Sequence, residues 1–371
     1  MRGGTKLFTI FGIDIKIHFS WWFIFALLAY TLSADFFPHY FSGLTTQTYW
    51  AMGIVSSVLL FVCVLAHELA HSLMARAKKI EVESITLFFF GGVASLPRED
   101  MKPSTEFWMA FSGPLLSLSL GGILYVLYSY LSWPTYIGAV LFYLYQINLI
   151  LAIFNLLPGY PLDGGRMFRA LLMMHYKDLR KATAIAAKGG KFLGGLLVIF
   201  GFLGIFLGSF GGLWFIFLGG FLWFIAGLSY QQILIKQALS GMKVEKMLKK
   251  KFITLSPKMT LGSVVRKYHA EEQPSFVVGD GKKFLGILNL QKIGKIPKGF
   301  LGKVLVGNVM IPAGKIKVIQ ERDHAYVAFR KMSQQNLEML PVLKQGRIMG
   351  VVYKHTLTHY LIMRLKYNFK F

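Results

Sequence analysis

Three long stretches of this chain contain no lysine or arginine: Ile17–Ala75, Pro103–Gly165 and Phe192–Ile235. Each is long enough to cross a bilayer twice at about 20 residues per helix. In lipid every backbone polar group must be satisfied within the structure, so apolar runs of this length read as helices. Six spans are predicted, at about 18–34, 50–75, 108–131, 137–157, 192–208 and 212–230. Turns near 36–48, 132–136 and 209–212 pair them as hairpins. Composition agrees: hydrophobic residues make up 54%, aromatic residues 15%, and mean hydropathy is +0.52, too apolar for an ordinary soluble domain.

The basic residues lie between and after these stretches. Forty-one Lys and Arg against seventeen Asp and Glu give a formal charge of +24, which in a soluble chain would point to nucleic acid. Here the excess marks topology. Outer turns carry no cation, whereas inner connections carry Arg76, Lys78, Lys79, Arg98, Lys102, Arg166, Arg169 and Lys177. The positive-inside rule then predicts a multi-pass cell-membrane protein with both termini in the cytoplasm and no nucleic-acid partner. Lys249, Lys250 and Lys251 add attraction to anionic lipid. The first span reads as retained rather than as a signal peptide, because its apolar run is long and no small-residue cleavage pattern follows it.

Residues 1–235 form the predicted membrane domain. Before the first span, KLFTIFGIDIKIHF alternates around Gly12 and predicts a short hairpin at the membrane surface. SITLFFFGGVASL, between the second and third spans, is too short to cross and rich in β-branched and aromatic residues. It predicts one re-entrant or interfacial strand over Phe88–Ser95, with Phe90, Gly91 and Gly92 giving close backbone access. After Lys236 hydrophobic runs shorten and turn residues return. Residues 244–371 predict a cytoplasmic α/β module of two similar halves, about 244–295 and 306–365, each ordered strand, helix, strand, turn, strand.

The second span contains LAHELAH, which puts His67, Glu68 and His71 inside an apolar helix. An ionisable group at the bilayer centre costs about 2.5–3.5 kcal/mol by insertion scales, so three together call for a function. Histidines at i and i+4 share a helix face and reach one tetrahedral ion, with the glutamate beside its open position. That spacing fits zinc. A catalytic site wants a third protein ligand. Asp163 is the best candidate, in NLLPGYPLDGGR, where proline ends the fourth span on the side that holds the histidines. Cys63, one turn before His67, would stretch the set over about 12 Å and reads as a small buried residue. Gly113, Pro114, Ser117 and Gly121 read as helix-packing residues.

HELAH in a span, GGVAS in a short strand, SGPLLS opening the next span and N-x-x-P-x-x-P-L-D-G-G-R at the end of another together resemble the site-2 protease family of intramembrane zinc metalloproteases. The likeness covers about residues 5–230. It implies that His67, His71 and Asp163 bind one zinc ion and that Glu68 is the general base and acid. It also implies that the strand at Phe88–Ser95 pairs with substrate and that Asn155 positions substrate or stabilises an oxyanion. Residues 244–371 resemble a CBS domain pair, which implies a regulatory role, offers a surface for a homodimer and raises adenine nucleotide as a ligand. The ribose-binding carboxylate of such pairs is absent here: Asn289 and Lys292 stand at the relevant places in the first half, Tyr353 and Thr356 in the second. The function implied is hydrolysis of peptide bonds in or near transmembrane segments of membrane-protein substrates. The alternative, a CBS-gated metal-ion transporter or channel, would need polar residues lining several spans and an inverted repeat, and the sequence has neither.

Overall fold

The computed structural model describes residues 4–89, 91–95, 101–208, 211–268, 275–280, 283–290, 296–344 and 347–367. Among them six helices are long and apolar enough to cross a membrane. These are α1 (Ser20–Tyr40), α2 (Thr46–Ala77), α3 (Pro103–Tyr130), α4 (Thr135–Leu156) and, after the shorter α5 (Asp163–Tyr176), α6 (Leu179–Phe206) and α7 (Gly212–Ser240). The chain is a multi-pass membrane protein.

Local chemistry sets the helix ends. The Thr45 side chain caps α2 by accepting from the Thr48 N–H. Pro103 opens α3, where its missing N–H costs nothing, and Pro158 stops the chain from continuing α4. Asp178 caps α6 by accepting from the Arg180 and Lys181 N–H groups. That cap starts the helix at Leu179, ahead of the apolar run expected to span at 192–208. Hydropathy misses its first three turns because they carry Arg180, Lys181, Lys188 and Lys191. Two of these cations lie over aromatic rings, Lys181 over Tyr176 at 3.9 Å and Lys191 over Trp223 at 5.8 Å. The first span likewise runs on to Tyr40, through a wider helical turn at Leu32–Phe36.

A four-stranded sheet sits beside these helices, in the order β1 (Gly4–Ile10), β2 (Ile13–His18), β3 (Ser84–Phe88), β4 (Gly91–Ser95). The expected N-terminal hairpin is β1–β2, and β2 then pairs in parallel with β3. Ile13, Ile15 and Ile85 are fully buried and pack with Ala75 of α2 and Met109 of α3. Arg76, in the last turn of α2, donates to the carbonyls of Phe11 and Gly12 in the β1–β2 turn. Residues 84–95 depart from the single strand expected. They form an antiparallel hairpin, because Gly91 takes φ 121°, a conformation that reverses the chain and that side chains with a Cβ avoid. Phe90 lies outside the described residues. The hairpin makes β4 an edge strand.

The chain divides into two compact units, Met1–Tyr230 and Gln231–Phe371, with the boundary inside α7. In the second unit the first half provides β5 (Thr254–Leu255), α8 (Leu261–Tyr268), β6 (Ser275–Asp280) and β7 (Lys283–Asn289). The second half provides β8 (Ile311–Pro312), α9 (Ala325–Gln335), β9 (Met339–Lys344), β10 (Arg347–Tyr353) and α10 (Lys354–Tyr367). The halves exchange their leading segments: β8 pairs with β7 of the first half, while Lys249, ahead of β5, bridges to Val351 of β10. Two apolar clusters result, one around Phe276 and Leu288 and a larger one around Leu340 and Val352 that also takes in Val277 and Ile287 of the first half.

Candidate metal centre

His67 and His71 lie one turn apart on α2, both buried, their rings 4.8 Å apart. Asp163 is the first residue of α5. Its Oδ2 lies 3.2 Å from His67 Nε2 and 3.1 Å from His71 Nε2, and the three potential ligand atoms all lie within 4.8 Å of one another. A carboxylate in a first helical turn is favoured by the helix dipole. Burial works against its ionisation, but His71, His67 and Arg166 outweigh that and hold the carboxyl below its ordinary range. Arg166 lies 4.0 Å from the other oxygen, Oδ1.

The glycines of the DGG sequence allow this approach. A Cβ on Gly164 would strike the Leu156 carbonyl, and one on Gly165 would strike the backbone of Gly159 and Tyr160. The segment that follows α4 is itself held by α6, whose Ala186 carbonyl accepts from the Tyr160 N–H at 3.1 Å.

Each histidine is oriented from α3. His71 Nδ1–H donates to the Met109 carbonyl at 2.6 Å, and His67 Nδ1 lies 2.8 Å from the Ser117 hydroxyl. A carbonyl only accepts, so a neutral His71 keeps its proton on Nδ1 and turns the Nε2 lone pair toward Asp163. That lone pair then faces the carboxylate oxygen at 3.1 Å, an approach that either a proton on Nε2 or a metal ion bound by both groups relieves. With two imidazoles, one carboxylate and room at Gly113, the donor set fits a zinc ion.

Gly113 makes that room. A Cβ there would overlap His71 Nε2 and come within 2.6 Å of His67 Nε2. Gly113 and Ser117, which the sequence assigns to helix packing more than to chemistry, both meet the histidines. The missed signal was their i, i+4 spacing, which matches His67 and His71 on the facing helix. No sequence signal marks the Met109 carbonyl, a backbone group.

Glu68 points to the sheet. A Cβ on Gly92 of β4 would collide with Glu68 Cγ and lie 3.0 Å from Cδ and 3.3 Å from Oε1. Gly91 forms the start of the same edge strand. Asn155 sits in the last turn of α4, half-buried, and the hydrogen bonds of His67, His71 and Asp163 do not include it. Cys63 is buried among Leu32, Phe37 and Tyr143.

Sequence comparison decides the family. The profile of Peptidase family M50 matches residues 55–137 and 131–199, the part of the chain that carries this centre. The sll0528 protein of Synechocystis sp., named as a zinc metalloprotease, is 32% identical over 368 residues, covering 95% of this chain and 94% of its own length. The chain belongs to peptidase family M50, the site-2 proteases. Rip3 of Mycobacterium tuberculosis, also named as a zinc metalloprotease, is 29% identical over 359 residues, with 95% of this chain and 91% of that protein covered. Zinc metalloprotease MJ0392 of Methanocaldococcus jannaschii is 26% identical over 371 residues and covers both chains completely. Among solved structures, a site-2 protease from Methanocaldococcus jannaschii aligns over 61% of this chain and 94% of its own, at 29% identity and a TM-score of 0.43. Residues 306–362 match the CBS domain. This M50 chain is thus a membrane-embedded zinc metalloprotease with a C-terminal CBS domain.

Proposed function

We propose that this M50 protein is an intramembrane endopeptidase that cuts within or near the transmembrane segments of other membrane proteins, with His67, His71 and Asp163 as zinc ligands and Glu68 as general base and acid. The observation that carries this reading is convergence. Two imidazoles from a membrane-spanning helix and a carboxylate from a separate helix meet within 4.8 Å, and the intervening glutamate faces an edge strand.

Zinc held there supplies a Lewis acid that polarises a carbonyl and acidifies water. The rest falls to the chain. Glu68 takes a proton from the attacking water and returns it to the departing amine nitrogen, a role worth about 10²–10⁴-fold in rate. A substrate helix hides its carbonyls in its own hydrogen bonds, so it must unwind before attack. β4, with Gly91 and Gly92, offers an open backbone edge beside Glu68 on which an unwound segment can lie as an added strand. Asn155, at the end of α4, supports the substrate carbonyl. The basic residues of the inner connections support a topology with both termini on the cytoplasmic side. The second unit, read as a CBS pair over its two exchanged halves, regulates cleavage, through an adenine nucleotide or through pairing of two chains.

The deciding experiment compares membrane proteins that accumulate in cells carrying wild-type protein or Glu68→Gln. The variant keeps zinc and stabilises uncut substrates. Equal cleavage in both strains removes Glu68 from the chemistry and with it the mechanism.

A further inference from the structure

Glu106 in the first turn of α3 and Arg169 in the middle of α5 form a buried ion pair, with side chains 9% and 12% exposed. The same guanidinium lies over the ring of Tyr160, 4.8 Å from its centroid. Arg169 Nε is buried with no hydrogen-bond partner. Such a pair gives little net stability, since desolvation offsets the attraction and apolar residues of similar volume often do as well. Stability is therefore a poor reason for it.

Its place in the fold supplies a better one. Glu106 precedes by three residues Met109, whose carbonyl fixes the His71 ring. Arg169 follows Asp163 by six residues on α5, about 9 Å along the axis. The pair thus joins the helix that orients the histidines to the helix that delivers the carboxylate. A tilt of α5 by only ~3° about this anchor moves Asp163 by about 0.5 Å, the tolerance of a preorganised site. Tyr160 closes the connection: its ring stacks on Arg169, its N–H is held by α6, and its backbone lies against Gly165.

We propose that Glu106 and Arg169 are positioning residues that set the distance of Asp163 from His67 and His71, and so the retention of zinc. The inference rests on the zinc-ligand reading above. Under it, the pair acts on metal through Asp163 and not through the stability of the bundle.

The test uses full-length protein in detergent, loaded with zinc, and follows release to a chromogenic chelator beside the thermal transition. Glu106→Leu/Arg169→Met replaces the pair with apolar side chains and keeps the fold. It is expected to release zinc about tenfold faster, the scale of outer-shell changes at metal sites, while the thermal transition measured on the zinc-free proteins matches the wild type. In an Asp163→Ala background the same double change is expected to add nothing. Wild-type release from the double variant, or an equal acceleration in the Asp163→Ala background, overturns the proposal. Should the double variant not fold, Arg169→Lys decides. It keeps the charge but loses the planar fork, so release accelerates and the visible band of the Co²⁺-substituted protein shifts; wild-type release with an unshifted band overturns the proposal. If Asp163→Ala alone retains zinc like the wild type, the zinc-ligand reading fails instead, which is a separate result.

Discussion

Gly113 faces His71 so closely that a Cβ in its place would overlap the imidazole Nε2. The contact joins two helices at the atom that His71 turns toward Asp163, and the neighbouring helix has no slack there: Ala110 is fully buried and Met109 is 2% exposed. Gly113→Ala is therefore expected to displace one or both histidines. Because a methyl group fits a helix better than glycine does, helix formation itself should not suffer. The expected outcome is folded, membrane-inserted protein with little bound zinc, measured by metal analysis of the purified variant. Full zinc occupancy would show that the α2–α3 contact yields more than its geometry implies.

Ser117 makes a different kind of contact. Its hydroxyl is the partner of His67 Nδ1, and at 1% exposure no bulk water can replace it. Ser117→Ala leaves a buried imidazole nitrogen unpaired and frees the ring to turn. Zinc affinity should fall about 10–100-fold, as for other outer-shell partners of metal-binding histidines. Titration with a competing chelator reads this directly, and activity at saturating zinc should recover in part.

Much of this was legible in the sequence, for reasons that differ from residue to residue. His67, Glu68 and His71 announce themselves because ionisable groups in a lipid-spanning helix are costly and their spacing is that of one helix face. Asp163 was legible through the proline-broken run ahead of it. Gly113 and Ser117 were visible as residues but not as site residues, since small residues in a span ordinarily serve packing. Their role depends on which helix faces α2, a tertiary fact. The fold shows the same division. Apolar length found the spans, but α6 begins at Leu179 because the Asp178 cap and aromatic partners for Lys181 and Lys191 carry a helix through charged residues. At 84–95 composition reports strand content and so predicts one strand, whereas the reversal depends on φ at Gly91.

Removing zinc from the wild type should lower the thermal transition without unfolding the membrane unit at ordinary temperature. α2, α3 and the sheet share an apolar core that does not involve the metal. A ligand present at a hundredfold excess over its dissociation constant stabilises by about 2.7 kcal/mol, and chelation removes that increment. Calorimetry with and without chelator measures the shift. The Asp163→Ala variant should show none, whereas Leu340→Ala, in the core of the second unit, should keep the full zinc-dependent shift.

Gly92 separates chemistry from metal binding. It sits on the edge strand β4 against Glu68, and a Cβ there would meet Cγ, Cδ and Oε1 of that side chain, while the three metal-facing groups lie on other contacts. Gly92→Ala should push the Glu68 carboxylate off its position and leave His67, His71 and Asp163 in place. Turnover falls by up to the about 10²–10⁴-fold that general acid–base catalysis contributes, and zinc content stays at the wild-type level. This is the reverse of the Gly113→Ala pattern, in which metal is lost first. Because Gly92 also belongs to the edge offered to substrate, both kcat and KM should be measured on one membrane substrate. A fall confined to kcat assigns the glycine to Glu68, and a rise confined to KM assigns it to strand pairing. Zinc loss from Gly92→Ala would contradict the separation of the two contacts and place β4 inside the metal centre.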